Sequence, residues 1–312
     1  MQLPYGRPRL LEISDQSWCP TFIRQPVQDF LTFLWEHRLP LTQPRSPHLG
    51  VVDVLERVVN ELEGLDGGKE DKGEMEDRGK LRIVDCCSGA GGPMPIVERK
   101  LNERRISTNK PPIQVVMSDL YPHVGAWKKH IISPTSPLSY LSYPVDATRF
   151  PEEGTEQRHL RTFCLSFHHF NQTQARAILA DAMRSSDGIC IFELQGPEIG
   201  SFIMNTMIFP LSYILIPFIR PSLTTIFFTY IIPIIPFILT FDGLISCYRT
   251  YTPEHITHLA CLASVDIAHE MAVEDTDAPD EWVWSSGKFR HTWPFGYGTW
   301  VIGRRPGGQE LE

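Results

Sequence analysis

Between residues 81 and 194 short apolar runs alternate with helical stretches, and that alternation restricts the fold more than any other feature of the chain. "LRIVDCC" (81–87), "IQVVMSDL" (113–120), "SYPVDA" (142–147, an edge), "RTFCLSF" (161–167) and "GICIFEL" (188–194) are predicted strands. Pro95 to Arg105, Val124 to Ile132 and Thr173 to Arg184 are predicted helices. Strands joined by helical crossovers pair in parallel, because parallel neighbours need long connections. The expected class is α/β, a mostly parallel sheet flanked by helices, with ligands at the carboxyl ends of the strands. Two alternating runs, "EWVWSSGKF" (281–289) and "YGTWVIGRR" (297–305), predict an antiparallel C-terminal hairpin that extends the sheet.

The stretch before the first strand has a different character. From Val27 onward, within Leu10 to Arg38, apolar residues recur every three or four positions, and Val51 to Leu62 repeats that pattern, so both are predicted helices. They form an N-terminal helical cap over 1–62. Residues 63–80 are rich in Gly and mixed charge and read as a flexible linker, which leaves 81–312 as the main domain. Within that domain, Pro253 to Leu262 is predicted helical.

The first strand runs into Asp85, Ser88, Gly89, Ala90, Gly91 and Gly92. Glycines there let the backbone turn sharply and approach a ligand, since no Cβ intervenes. An acid at the strand end suits a cationic ammonium group and would repel a pyrophosphate. The dinucleotide fingerprint G-x-G-x-x-G/A also fails, because counting from Gly89 its third small position is Met94. Asp119 ends the second strand, where a carboxylate can accept from two ribose hydroxyls. Asp146 can accept from an adenine amino group, with the Ala147 amide donating to the ring. Three acids at successive strand ends describe a nucleoside pocket.

Asp85-x-x-Ser88-Gly89-x-Gly91-Gly92, "SDLYP" (118–122), "VDAT" (145–148) and "LSFHHF" (165–170) together resemble the successive motifs of class I S-adenosylmethionine-dependent methyltransferases. "VIGRRP" (301–306) resembles their last strand, and "FDGLISCYRTYTPEHI" (241–256) a segment of uncharacterised members. The resemblance implies a Rossmann-like sheet and S-adenosyl-L-methionine as cofactor. It places Asp85, Ser88, Gly89 and Gly91 at the methionine part, Asp119 and Leu120 at the ribose, and Asp146 and Ala147 at the adenine. Ser88 departs from many members, which carry another residue there. His168 and His169 lie on the edge that faces the methyl group in this family. Either could be a general base, since an imidazole titrates near neutral pH, or both could shape the pocket. Glu193 is a further candidate for positioning the acceptor, and Trp18, Phe22 and Tyr251 for a lid.

Methyl transfer from a sulfonium needs alignment more than a catalytic triad, so the lack of one is no obstacle. A net charge of −8 argues against nucleic acid as substrate, because phosphates need a basic surface. Seven cysteines, an odd number without C-x-x-C spacing, fit small buried apolar residues in a reducing compartment better than a disulfide frame or a zinc site. No secretion signal opens the chain, so a cytoplasmic location is expected. From Ser201 to Phe241 the one charged residue is Arg220, between two apolar runs. This insert reads as a transmembrane hairpin, as a re-entrant or monotopic one, or as buried helices roofing a greasy pocket. Its character favours a small lipophilic acceptor and a membrane surface as partners. The rival functions are an NAD(P)-dependent oxidoreductase and a non-catalytic membrane adaptor on the same fold.

Overall fold

The structure, a computed structural model, describes residues 10–66, 79–131, 133, 135–151, 157–274 and 281–306. The elements in chain order are α1 (Thr21–Glu36), α2 (His48–Asp66), β1 (Arg82–Cys86), α3 (Met94–Ser107), β2 (Gln114–Ser118), α4 (Val124–Trp127), β3 (Leu138–Tyr140), β4 (His159–Cys164), α5 (Gln172–Ser185) and β5 (Gly188–Glu193). There follow α6 (Ile199–Ile219), α7 (Leu223–Ile226), a π turn (Phe227–Ile231), α8 (Ile234–Arg249), α9 (Pro253–Glu274), β6 (Val283–Thr292) and β7 (Gly296–Arg304). The strands form one seven-stranded sheet in the order β3-β2-β1-β4-β5-β7-β6. β1 to β5 are parallel neighbours, with Asp85 opposite Met117 on one side and Thr162 on the other.

Every residue of β5, and every residue of β4 but Cys164, is buried, as expected of central strands covered on both faces. α5 begins on a capping box, Asn171 accepting the Gln174 amide and Gln174 accepting the Asn171 amide.

The predicted third strand is corrected. Residues 142–147 are irregular, and β3 is Leu138–Tyr140, paired with Val115–Met117. Pro144 has no N–H to give a ladder, whereas "LSY" shortly before it can pair. The segment still follows β2, through Leu141 N–H to Met117 O and Val145 N–H to Asp119 O, both 2.9 Å. α4 is also shorter than predicted, ending at Trp127; Ile132 lies outside the described residues, as do 67–78 of the predicted linker. The apolar insert is largely helical from Ile199 to Arg249, and the helix predicted from Pro253 continues to Glu274.

The chain forms two compact units. One comprises 51–192, 253–287 and 300–312 and carries most of the sheet; the other comprises 1–50, 193–252 and 288–299. In the sheet-bearing unit α2 is held to α3 by ions: Arg104 bonds Asp53 and Glu56 at 2.9 Å, and the buried Arg105 forks onto Glu63 at 2.7 and 3.1 Å. A second tie runs through the fully buried Arg161 of β4. Its guanidinium donates to Asp181 at 2.6 Å and Ser185 at 2.5 Å on α5, and lies 4.5 Å over the Phe150 ring. In the other unit Cys19, Ile23, Val27 and Phe30 pack with Ile216, Ile235, Ile238 and Leu239, joining α1, α6 and α8. Each such buried aliphatic or aromatic side chain contributes about 1.5–3 kcal/mol. The segment before α1 is tied to α8 by Asp242, which accepts the Ile13 and Ser14 amides at 2.7 and 2.9 Å.

Candidate functional site

Asp85, Ser88, Gly89, Gly91, Asp119, Leu120, Asp146, Ala147, His168 and His169 all belong to the sheet-bearing unit. The positions between Asp85 and Ala147 gather where β1, β2 and β3 end. Glu193, Trp18, Phe22 and Tyr251 belong to the other unit; Trp18 and Phe22 are exposed and Tyr251 is buried.

The turn after β1 needs its glycines. Gly89 and Gly91 have φ of +53° and +120°, where a side chain is strained. No atom lies within 4 Å of the place a Cβ on Gly89 would occupy, so that backbone borders open space. At Gly91 a Cβ would meet Pro95 and His130 at 3.5–3.6 Å. Cys87 also has a left-handed φ, +61°, despite its side chain.

Three acids surround this turn in different states. Asp85 is 2% exposed, and both its oxygens are engaged: Oδ2 accepts the Ser88 hydroxyl at 2.5 Å and Oδ1 the Thr162 hydroxyl at 3.1 Å. Burial pushes its carboxyl up to about 7, with the Asp119 charge adding to the rise and the two hydroxyls opposing it. Asp119 is half-buried. Its Oδ2 accepts the Gly89 amide and its Oδ1 the Tyr121 amide, each at 2.8 Å. Asp146 is exposed, and its Oδ1 accepts both the amide and the hydroxyl of Thr148, at 2.8 and 2.7 Å. Ala147 beside it is buried and Leu120 is exposed. The three charges act together on Cys87: burial raises its thiol well above the ordinary range, and Cys86, Asp119, Asp85 and Asp146 raise it further.

Sequence reasoning passed over several groups that shape this corner. The fully buried Trp127 donates its indole N–H to Gly89 O at 2.9 Å and packs on Tyr140, ring centres 5.7 Å apart. The Ser118 hydroxyl donates to Asp85 O at 2.9 Å. Thr162 had a legible signal, a hydroxyl inside an apolar strand; only the β1–β4 register sets it beside Asp85. Trp127 had none beyond being a tryptophan next to two lysines.

His168 is buried and His169 half-buried in a single 3-10 turn after β4, their rings 4.3 Å apart. Phe163, Phe167 and Phe170 pack edge-to-face around that turn, which Leu165 enters at a left-handed φ of +53°.

No family model matches the chain, and neither does any curated protein. Among solved structures it is similar to the pyocyanin biosynthetic protein PhzM (12% identity, TM-score 0.40, covering 74% of this chain and 52% of that one). It is also similar to magnesium protoporphyrin IX methyltransferase from Synechocystis PCC 6803 with bound SAH (11% identity, TM-score 0.43, 92% and 97% covered). A third is human N-acetylserotonin methyltransferase in complex with SAM (14% identity, TM-score 0.37, 83% and 56% covered). The chain spans about half the length of the first and third. The sheet order itself, with five parallel strands, a glycine-rich turn after β1 and a closing hairpin in which β7 lies between β5 and β6, gives this chain a Rossmann-like fold.

Proposed function

We propose that the sheet-bearing unit binds S-adenosyl-L-methionine at the ends of β1 to β3 and methylates a small lipophilic acceptor. The observation that carries this reading is the set of carboxylates at the turn: Asp119 accepts the Gly89 amide at 2.8 Å, Asp85 accepts the Ser88 hydroxyl at 2.5 Å, and Asp146 follows β3, so the corner is acidic. A ligand bearing an ammonium and a sulfonium relieves the repulsion among these acids, whereas a pyrophosphate adds to it. The open space at Gly89 gives such a ligand backbone to lie against.

The residues then take distinct roles. Ser88 and Thr162 hold Asp85, whose charge serves the methionine end beside Gly89 and Gly91. Each Asp119 oxygen has one backbone donor and a lone pair left for a ribose hydroxyl. Asp146 keeps Oδ2, which has no partner among the described residues, for the adenine amino group, and Ala147 offers its amide. Leu120 gives the nucleoside an apolar edge. When bound, the cofactor supplies a methyl group: the acceptor lone pair forms the new bond to carbon as the carbon–sulfur bond breaks toward sulfur. His168 or His169 takes the acceptor proton where the acceptor is a phenol or carbon acid.

The apolar character of the second unit supports a lipophilic acceptor, met at the cytosolic face of a membrane. Titration calorimetry with S-adenosylmethionine and with NAD tests the cofactor: heat from the first and none from the second is expected, and the reverse ends the proposal. Turnover of lipophilic phenols, amines and quinone-like molecules tests the acceptor class.

A further inference from the structure

The helical insert leaves its outer face bare. Over the most apolar window of α6, mean hydropathy is 1.8 and only 11% of the residues are buried. Met207, Ile214, Phe218, Leu223, Ile231 and Phe237 are between 50% and 88% exposed. Folded monomers rarely leave so many large apolar side chains together in water. A helix serving as a soluble core would be mostly buried, and α6 is not.

Three further observations say what covers this face. Charge comes first: the unit made of 1–50, 193–252 and 288–299 holds nine Arg and Lys against seven Asp and Glu, so the chain's excess acid, net −8 overall, sits entirely on the other unit. Such a split suits contact with an anionic surface. Second, the tip of the β6–β7 hairpin adjoins the start of α6, where a Cβ on Gly200 would lie 2.9 Å from Phe295 Cβ. That tip exposes Trp293 and Phe295, aromatic side chains of the kind found at lipid headgroup depth, and the strand leading to it carries Lys288, paired with Glu198, and Arg290, which donates to the Tyr297 hydroxyl. Third, an apolar groove of about 420 Å³, lined by Pro197, Ile199, Phe202, Ile203, Met207 and Tyr248, opens at the same end of α6.

The hairpin is also tethered. α1 packs on α6 and α8, and Arg220, in the turn between the apolar runs, pairs with Asp29 of α1. Crossing a bilayer would carry that pair, with Arg24, Gln25 and Gln28 of α1, through hydrocarbon, where each charge costs about 2.5 kcal/mol or more. The bend of 71° between Leu223–Ile231 and Ile234–Arg249 also means that the second apolar run does not form one straight span.

We infer that this unit docks in the plane of an anionic membrane leaflet, seating the outer face of α6, α7 and the π turn among the acyl chains without crossing the bilayer. The inference deepens the membrane side of the proposed function and does not depend on methyl transfer. The test is co-sedimentation of the full chain with phosphatidylcholine vesicles containing about one part in four phosphatidylglycerol. The protein pellets with these vesicles, pellets less with phosphatidylcholine alone, and is released by an alkaline carbonate wash. Phe218→Glu with Leu223→Glu, at the two most exposed positions named, lowers partitioning about tenfold or more, with the thermal unfolding midpoint as the control for folding. Lys288→Ala with Arg290→Ala lowers only the preference for anionic lipid. Retention through the carbonate wash overturns the in-plane reading in favour of a spanning one. Absence of vesicle binding overturns docking altogether, and a dimer in sedimentation equilibrium would then assign the face to a second copy of the chain. Neither result alters calorimetry with S-adenosylmethionine, so failure here and failure of the cofactor reading are distinguishable.

Discussion

Asp119, beyond the end of β2, accepts the backbone N–H of Gly89, beyond the end of β1, at 2.8 Å. The bond fixes the glycine turn against the neighbouring strand end and leaves the same carboxylate with lone pairs to spare. Asp119→Ala removes both the clamp and the proposed ribose acceptor. A hydrogen bond to a charged group is worth about 1.5–3 kcal/mol, so S-adenosylmethionine affinity should fall about 10- to 100-fold by calorimetry. Asp119→Asn retains an acceptor for Gly89 and should recover part of that loss; equal affinity in all three proteins would remove Asp119 from the site.

Asp85 makes cofactor affinity depend on pH. Its carboxyl in the folded protein is raised to about 7 by burial, so near neutrality it is partly protonated, and a cationic ligand favours the ionised form. Affinity for S-adenosylmethionine should therefore rise between about pH 6 and about pH 8, with proton release on binding. Asp85→Asn should bind more weakly and show no rise. A wild-type affinity flat across that range would contradict the role given to this charge.

Stability carries two opposing slopes in the same window. Asp85 binds a proton more tightly folded (about 7) than unfolded (about 3.9), so its contribution is greatest in acid and declines as pH rises from about 4 to about 7. His159 behaves oppositely. Burial lowers its pKa to about 4, and its ring bridges Gln157 O at 3.0 Å and Arg161 Nε at 3.4 Å, as a neutral imidazole can. Its contribution is therefore present above about 6.5 and lost as pH falls toward about 4. Urea midpoints of Asp85→Asn should fall on acidification, because the His159 slope stands uncovered; those of His159→Gln should fall as pH rises instead.

Arg161 is 0% exposed and bonds Asp181, so truncating it strands a charge. Arg161→Ala should cost about 3–5 kcal/mol in urea unfolding. Arg161→Met combined with Asp181→Leu should recover part of that, because the stranded charge is gone, while the Phe150 amide and His159 Nε2 still lose their partners.

His168→Ala should spare cofactor binding while slowing turnover of phenol or carbon-acid acceptors about 10²-fold or more. Acceptors that lose no proton should be methylated at nearly the wild-type rate. A uniform loss across both classes would make the histidine a packing residue of the Phe163–Phe167–Phe170 cluster.

Much of this molecule was legible in its residues, because the signals were local. Alternating apolar runs and helical spacing announced the strands, the crossovers and the closing hairpin, since side-chain period depends only on backbone geometry. "SGAGG" announced a tight turn for the same reason: glycine alone reaches those φ values without strain. The lone charge in 201–241 marked an unusual segment by composition alone. Tertiary structure alone decided what lies side by side. It moved the third strand to Leu138–Tyr140, where a ladder without proline was possible. It set Thr162 against Asp85, brought Arg161 to Asp181 and tied Arg220 to Asp29. Those pairings join residues 77, 20 and 191 positions apart, and no local propensity encodes a contact made only when distant segments pack.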